Sequence, residues 1–559
     1  MSCAPLSPVP EAARYRRSPD EVMRLDRLGV SHPTRLSFLR ILLRRMQQEA
    51  WEFSRPVFDL DPRGVGRAVY SAKGPDRTYS LVAFGHELSP DMRSDRVIAT
   101  AWDATFCLFD GVPADADLDR LAANVPFQEA GRVSSKELTL SRANKSVRLF
   151  EHVVEALSQG QQPDADTLSA TGYLMRTTAV YGSGKFGAAS HASISERPEV
   201  SAPFQAEMLT VWLIRTFTVD LVEHIARGIG GAKAVALDPA LKRSLGVGNS
   251  TGLGMAPFLV RHPILLNNWM MVREEALARV RAQEKTGQAE IDGFLSALHA
   301  AQDNAQKWQS AHPIQVDRLA DLRSGLAALA SHVEAHWRPT GDHPWDALWT
   351  WGCTNLSDEA QEALLSLMLE PHGPLVDGLA ECLQADESSA FSINGAISVK
   401  DTMDLISQNY SWALLPDYDA KDACARFWYV SEDKLEPRLG ERFEEPGGAL
   451  ELPLDIGRRA AALWTALQAH LKDEPIAKLL LADPTQRSMV RLTQMTASRS
   501  YAEIRDNLIS SDLLPIDMLR CKLAFFGATR FDPRSDRWVR ISLFQNCPYP
   551  DTLAEEGGL

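Results

Sequence analysis

The sequence predicts an α+β protein, predominantly α-helical, in which a large helical body carries a small antiparallel β-sheet. Three observations lead there. Apolar residues recur at helical spacing through most of the chain beyond residue 115. A period of two takes over between residues 57 and 109, broken by turn residues. The composition, 45% apolar and 24% charged, is that of a globular protein able to bury a core. Because one core rarely grows past about 250 to 300 residues, a chain of 559 is expected to form two closely packed lobes.

Residues 1–18 hold Pro5, Pro8 and Pro10 without an apolar run, and read as a flexible arm that is neither a secretory signal nor an anchor. Residues 19–130 follow as helices plus a β-meander. Helical patterns cover 19–28 and 33–53, the second with Leu36, Phe38, Leu39, Leu42, Leu43 and Met46 on one face. The runs 66–71 and 78–84 flank Lys73-Gly74-Pro75-Asp76 as a hairpin, and 96–109 adds a third β-rich run.

Residues 131–415 read as a helical domain. Its first helix has Ser134 and Glu137 at capping-box spacing, a face of Ala143, Val147, Phe150, Val154 and Leu157, and a stop at Gly160. Further helices are expected over about 165–178, 203–228, 263–283, 287–309, 316–337, 357–369 and 400–413. Residues 416–549 form a mixed C-terminal region, with a β-rich run at 426–430, helices from 454 to about 526, and a strand over 537–544. The economical partner for that strand is the N-terminal meander. Residues 550–559 are an acidic tail expected to fray.

The charge balance narrows the partners. With 59 Lys and Arg against 73 Asp and Glu, the net charge of −14 repels polyanions, so nucleic acid is not expected. Seven scattered cysteines without a C-x-x-C pair suit a reducing compartment, and no apolar run approaches 18 residues. A cytoplasmic protein without a membrane partner is expected, with a homo-oligomer as a further expectation.

Two segments resemble phosphate-binding loops and fail the test. Gly182-Ser183-Gly184-Lys185 has Ala179 where a P-loop needs its first glycine and Phe186 where it needs a hydroxyl for magnesium. Gly246 to Gly254 has Thr251 at the third glycine position of a dinucleotide turn. No nucleotide cofactor is therefore expected.

Both segments still suit a small anion. Around the first, Arg176, Tyr181, Ser183 and Lys185 gather polar groups among glycines that permit close backbone approach. In the second, Asn249, Ser250 and Thr251 precede a helix whose N-terminus attracts anions, and Arg261 offers a bidentate partner. The bland readings are a glycine C-cap turn and ordinary N-capping. Two locally basic stretches, residues 132–148 and 487–540, could converge on such an anion.

For metal, His332, His336 and His343 are the candidate set, since histidines at i and i+4 can share an ion. Glu334 is misplaced for an H-E-x-x-H site. The cluster Trp337, Trp345, Trp349 and Trp351 reads foremost as core or interface. No G-x-S-x-G is present.

The sequence thus favours an enzyme acting on a small anionic metabolite bearing carboxylate or phosphate, of lyase or hydrolase type and without a nucleotide. Lys185, Tyr181 and His262 are its proton-transfer candidates, and Arg176, Ser183, Asn249, Ser250, Thr251 and Arg261 bind the substrate. The alternatives are a non-catalytic helical protein that binds a partner through its tryptophans, and a metal-dependent hydrolase built on His332.

Overall fold

A computed structural model describes residues 12–89, 101–125, 134–182, 194, 196–249, 263–311, 313–383, 391–418, 428–431, 437–439, 451–453, 456–503, 515–528, 531–533 and 539–555. The described strands, in chain order, are β1 (Glu52–Leu60), β2 (Gly66–Lys73), β3 (Thr78–Gly85), β4 (Ala104–Asp110), β5 (Glu137–Lys145), β6 (Tyr173–Gly182), β7 (Gly246–Asn249), β8 (Trp428–Ser431), β9 (Pro437–Leu439), β10 (Glu451–Pro453), β11 (Phe531–Pro533) and β12 (Val539–Leu543). Helix predominates over strand. The chain divides into two compact units, residues 1–34, 253–524 and 533–539 in one and residues 35–252, 525–532 and 540–559 in the other.

The second unit is built on a nine-stranded sheet in the order β1-β2-β3-β4-β5-β6-β7-β12-β11. β1 to β6 pair antiparallel in succession, as do β7 and β12, whereas β6 and β7 run parallel. The turn at Lys73-Gly74-Pro75-Asp76 joins β2 to β3 as expected.

The sheet is larger and more central than the predicted N-terminal meander. Residues 137–145 are strand β5 and not the first turns of a capped helix, so only Phe150–Ser158 of that element is helical. Likewise, helix stops at Thr171 and β6 begins at Tyr173. β5 and the described side chains of β6, residues 173–177, are buried on both faces, which removes the alternation that marks a half-exposed strand. Gly160 does follow the helix end with φ +79°, the left-handed geometry a terminating glycine supplies. The C-terminal strand pairs with β7 instead of the meander: Ile541, Ser542 and Leu543 lie opposite Asn249, Gly248 and Val247. A side chain at Gly246 would lie 2.4 Å from the Leu543 carbonyl oxygen, so this junction requires glycine.

Each sheet face has its own cover. On one, the long helix Gln205–Gly230 sets Thr210 Oγ1 2.7 Å from Thr139 Oγ1 on β5 and packs Phe217 edge-on to Phe106, with centroids 5.5 Å apart. On the other, Leu118 and Leu121 of helix Asp115–Asn124 join Val69, Val82, Phe84, Cys107, Phe109 and Leu140. Within the described part of the C-terminal tail, Leu553 is buried and its carbonyl accepts from Gln47 Nε2 at 3.1 Å.

The first unit is helical, with a separate three-stranded sheet β10-β8-β9. Trp337 and Trp345 pack tilted and edge-on around Phe294 in its interior, and Trp349 is buried as well. Three of the four clustered tryptophans are therefore core. Helix Pro313–Ala335 approaches helix Asp358–Leu369 so closely that a side chain on Gly325 would meet Ala360 Cβ at 2.2 Å.

Buried ion pairs join the start of the chain to this core. Arg17 donates to both oxygens of Glu274 at 2.9 and 2.7 Å and reaches Glu362 at 2.5 Å, while Arg273 closes on Glu362 from its own helix. Arg16 pairs with Glu275. The arm predicted to be flexible through residue 18 thus ends in buried charge.

Candidate functional site

One group of described polar side chains of the sheet unit gathers on the face covered by helix Asp115–Asn124, beyond the apolar contacts of that helix. Register places them there. Thr105 pairs with Arg142 across β4 and β5, and Asn144 pairs with Arg176 across β5 and β6. Directly paired residues project to the same side, and Arg142 and Asn144 stand two residues apart, so all four share a face. That face is the one carrying Cys107 and Leu140 of the apolar cluster. His86, two residues beyond Phe84, joins them through Nε2, 2.9 Å from Thr105 Oγ1.

The strands hold these groups in place. Asn144 Oδ1 accepts from the Asp103 amide at 3.0 Å, and Asp103 Oδ2 accepts from the Lys145 amide at 2.9 Å. The Arg142 guanidinium lies 4.1 Å from the centre of the Trp102 ring, a stacking that desolvates it without removing its charge. Arg176 and Asp103 are buried, and Arg142 is half-buried. Burial pushes the His86 imidazole below its usual 6.5, opposed by the negative charge of Asp103, so the ring is mainly neutral near pH 7. A neutral imidazole against a hydroxyl can accept a proton, while two guanidiniums on one sheet face can hold an anion.

Of the expected site residues, Arg176 belongs to this patch. It sits in strand β6, however, and not in a glycine loop after a helix. Asn249 ends β7 opposite Thr177, whose Oγ1 donates to the Gly248 carbonyl at 3.2 Å. Tyr181 is at the β6 register position opposite Leu140. Ser183, Lys185, Ser250, Thr251, Arg261 and His262 lie outside the described residues. What is described is the strands that precede those segments: β6 and β7 are parallel neighbours and run in the same direction to Gly182 and Asn249. The long helix Gln205–Gly230 lies between the two strands in sequence and packs on both, giving a βαβ unit.

Of the histidine set, His332 and His336 lie side by side with ring centroids 5.8 Å apart. His332 stacks on Trp351 with centroids 3.9 Å apart, His336 is exposed, and His343 precedes helix Pro344–Asn355 with φ +48°. Among the described residues no group of three or more His, Cys, Asp or Glu could hold a metal ion, and no helix is long and apolar enough to cross a membrane.

Sequence reasoning missed His86 and Asp103, which carry no local pattern and become neighbours only through strand pairing. Arg142 left a trace as part of the basic stretch 132–148. Comparisons with protein-family models, with curated proteins and with solved structures find no match.

Proposed function

We propose that the sheet unit carries the active site of an enzyme for a small organic anion, with lyase or hydrolase chemistry that needs no nucleotide. Arg142 and Arg176 are assigned to the anion. His86 takes or gives the proton, aided by the Thr105 hydroxyl. The observation that carries this reading is the convergence of two arginines and a neutral histidine on one face of β4 to β6. A second support is that the two glycine-rich segments leave the carboxyl ends of adjacent parallel strands, where open sheets commonly bind ligands. On this reading Lys185, Ser183, Ser250, Thr251 and Arg261 approach the same anion from those segments, with Tyr181 and His262 as further proton-transfer groups, whereas Asn249, paired with Thr177, belongs to the opposite sheet face.

The test is a thermal-shift screen of small mono- and dicarboxylates and phosphate esters, followed by titration calorimetry on any hit. Binding is expected to weaken about 10- to 100-fold in Arg142→Gln and in Arg176→Gln, since each removes a charge-assisted hydrogen bond. It should also weaken with salt, because exposed charge is screened over about 8 to 10 Å. His86→Gln should bind the hit and lose turnover. Arginine variants that bind as tightly as the parent would overturn the assignment.

A further inference from the structure

We propose that Glu207 is the binding residue of a second site, one that takes a primary ammonium group. Glu207 lies in the first turn of the long helix Gln205–Gly230 and is 5% exposed. Its Oε2 is fully buried and has no hydrogen-bond partner among the described residues. The backbone amide of Glu207 itself lies near the carboxyl and favours its charged form.

Helix periodicity fixes the direction it faces. Thr210, three residues on, meets Thr139 of β5, and Phe217 packs on Phe106 of β4, so Glu207 shares the helix side that looks onto the sheet. Thr139 pairs with Gly182, the last residue of β6. The carboxyl therefore lies within a helical turn of the Thr139 contact, on the sheet face opposite Arg142. Gln205, two residues back, turns away to donate to the Phe38 and Pro203 carbonyls.

A buried carboxyl oxygen without a donor is costly, and native proteins keep few of them. The group that relieves it must bring N–H donors, and a positive charge adds Coulomb attraction in a poorly solvated place. A primary ammonium supplies both from a single atom. An anion is repelled by the same carboxylate, which separates this site from the arginine patch.

The probes are chloride salts of primary alkylammonium ions from methyl to hexyl, with tetramethylammonium as a cation that has no N–H. Calorimetry on the full chain at pH 8 should show saturable binding of at least one primary ion and none of tetramethylammonium. Affinity should fall about 10- to 100-fold in Glu207→Gln. In hydrogen exchange, the bound ion should protect amides 206–211 of the parent protein. If Glu207→Gln fails to fold, that protection alone decides. No saturable binding, equal binding by the variant, equal binding of tetramethylammonium, or binding without protection there would each overturn the proposal. The anion-binding site is read out with anions on the opposite sheet face, so either can fail alone.

Discussion

Arg17 and Glu362 meet where both side chains are removed from water, and their energetics follow from that. Burial alone would raise the Glu362 carboxyl, but the charges of Arg17 and Arg273 outweigh it and hold the group down at about 2. A carboxyl lowered on folding contributes stability above its unfolded value near 4.5 that is lost as pH falls toward 2. Acid unfolding of the helical unit should therefore steepen below pH 4.5, followed by tryptophan fluorescence. Arg17→Met, which leaves Glu274 and Glu362 buried with less compensation, should cost about 3 to 5 kcal/mol in chemical denaturation. Glu207 has the opposite sign. Burial raises it to about 7, against the weaker pull of its own amide, so charging it in the folded state opposes folding. Its contribution is present below about 4.5 and is lost as pH rises through 7, and Glu207→Gln should flatten that decline in a pH series of unfolding curves. For His86, an NMR titration should place the imidazole midpoint below 6.5, because desolvation prevails over the Asp103 charge.

At the scale of elements, helices were the legible part. Gln205–Gly230, Pro263–Arg281, Gln288–Lys307, Pro313–Ala335 and Asp358–Leu369 stand within a few residues of their predicted spans, because their apolar spacing persists over many turns. β2 and β3 were also legible, through the turn between them. β5 and β6 were not: Leu138, Leu140 and Ala143 are buried beside Thr139 and Ser141, so polarity does not alternate with exposure and helical spacing can be drawn through them. The patch suffered for the same reason. Arg142 and Arg176 were visible as basic residues, but their common face depends on the strand register. Glu207 did leave a signal, as a single acid in the otherwise mainly apolar run from Ala206 to Ile214. The junction of β7 and β12 yields an element-scale prediction. Gly246→Ala drives a methyl into the Leu543 carbonyl and should destabilise the sheet unit by roughly 1 to 3 kcal/mol, with exchange protection lost first at 246–249 and 541–543.

Over the whole molecule, the two units are not consecutive halves: each collects segments from distant parts of the chain. This differs from a row of domains separated by linkers, and neither unit can be excised as one continuous fragment. The pairing of β7 with β12 gives that topology a cost during synthesis. The partner of Asn249 is Ile541, about 290 residues later. At ribosomal rates of roughly 5 to 20 residues per second, the outer side of β7 waits about 15 to 60 s for its neighbour. An unpaired strand edge held open that long is a template for pairing with other nascent chains, so the yield of native protein should depend on chaperone occupancy and on translation speed. Ribosome-bound chains halted near residue 530 should be cleaved by protease around β7, and chains extended past the C-terminus by a linker that clears the exit tunnel should resist.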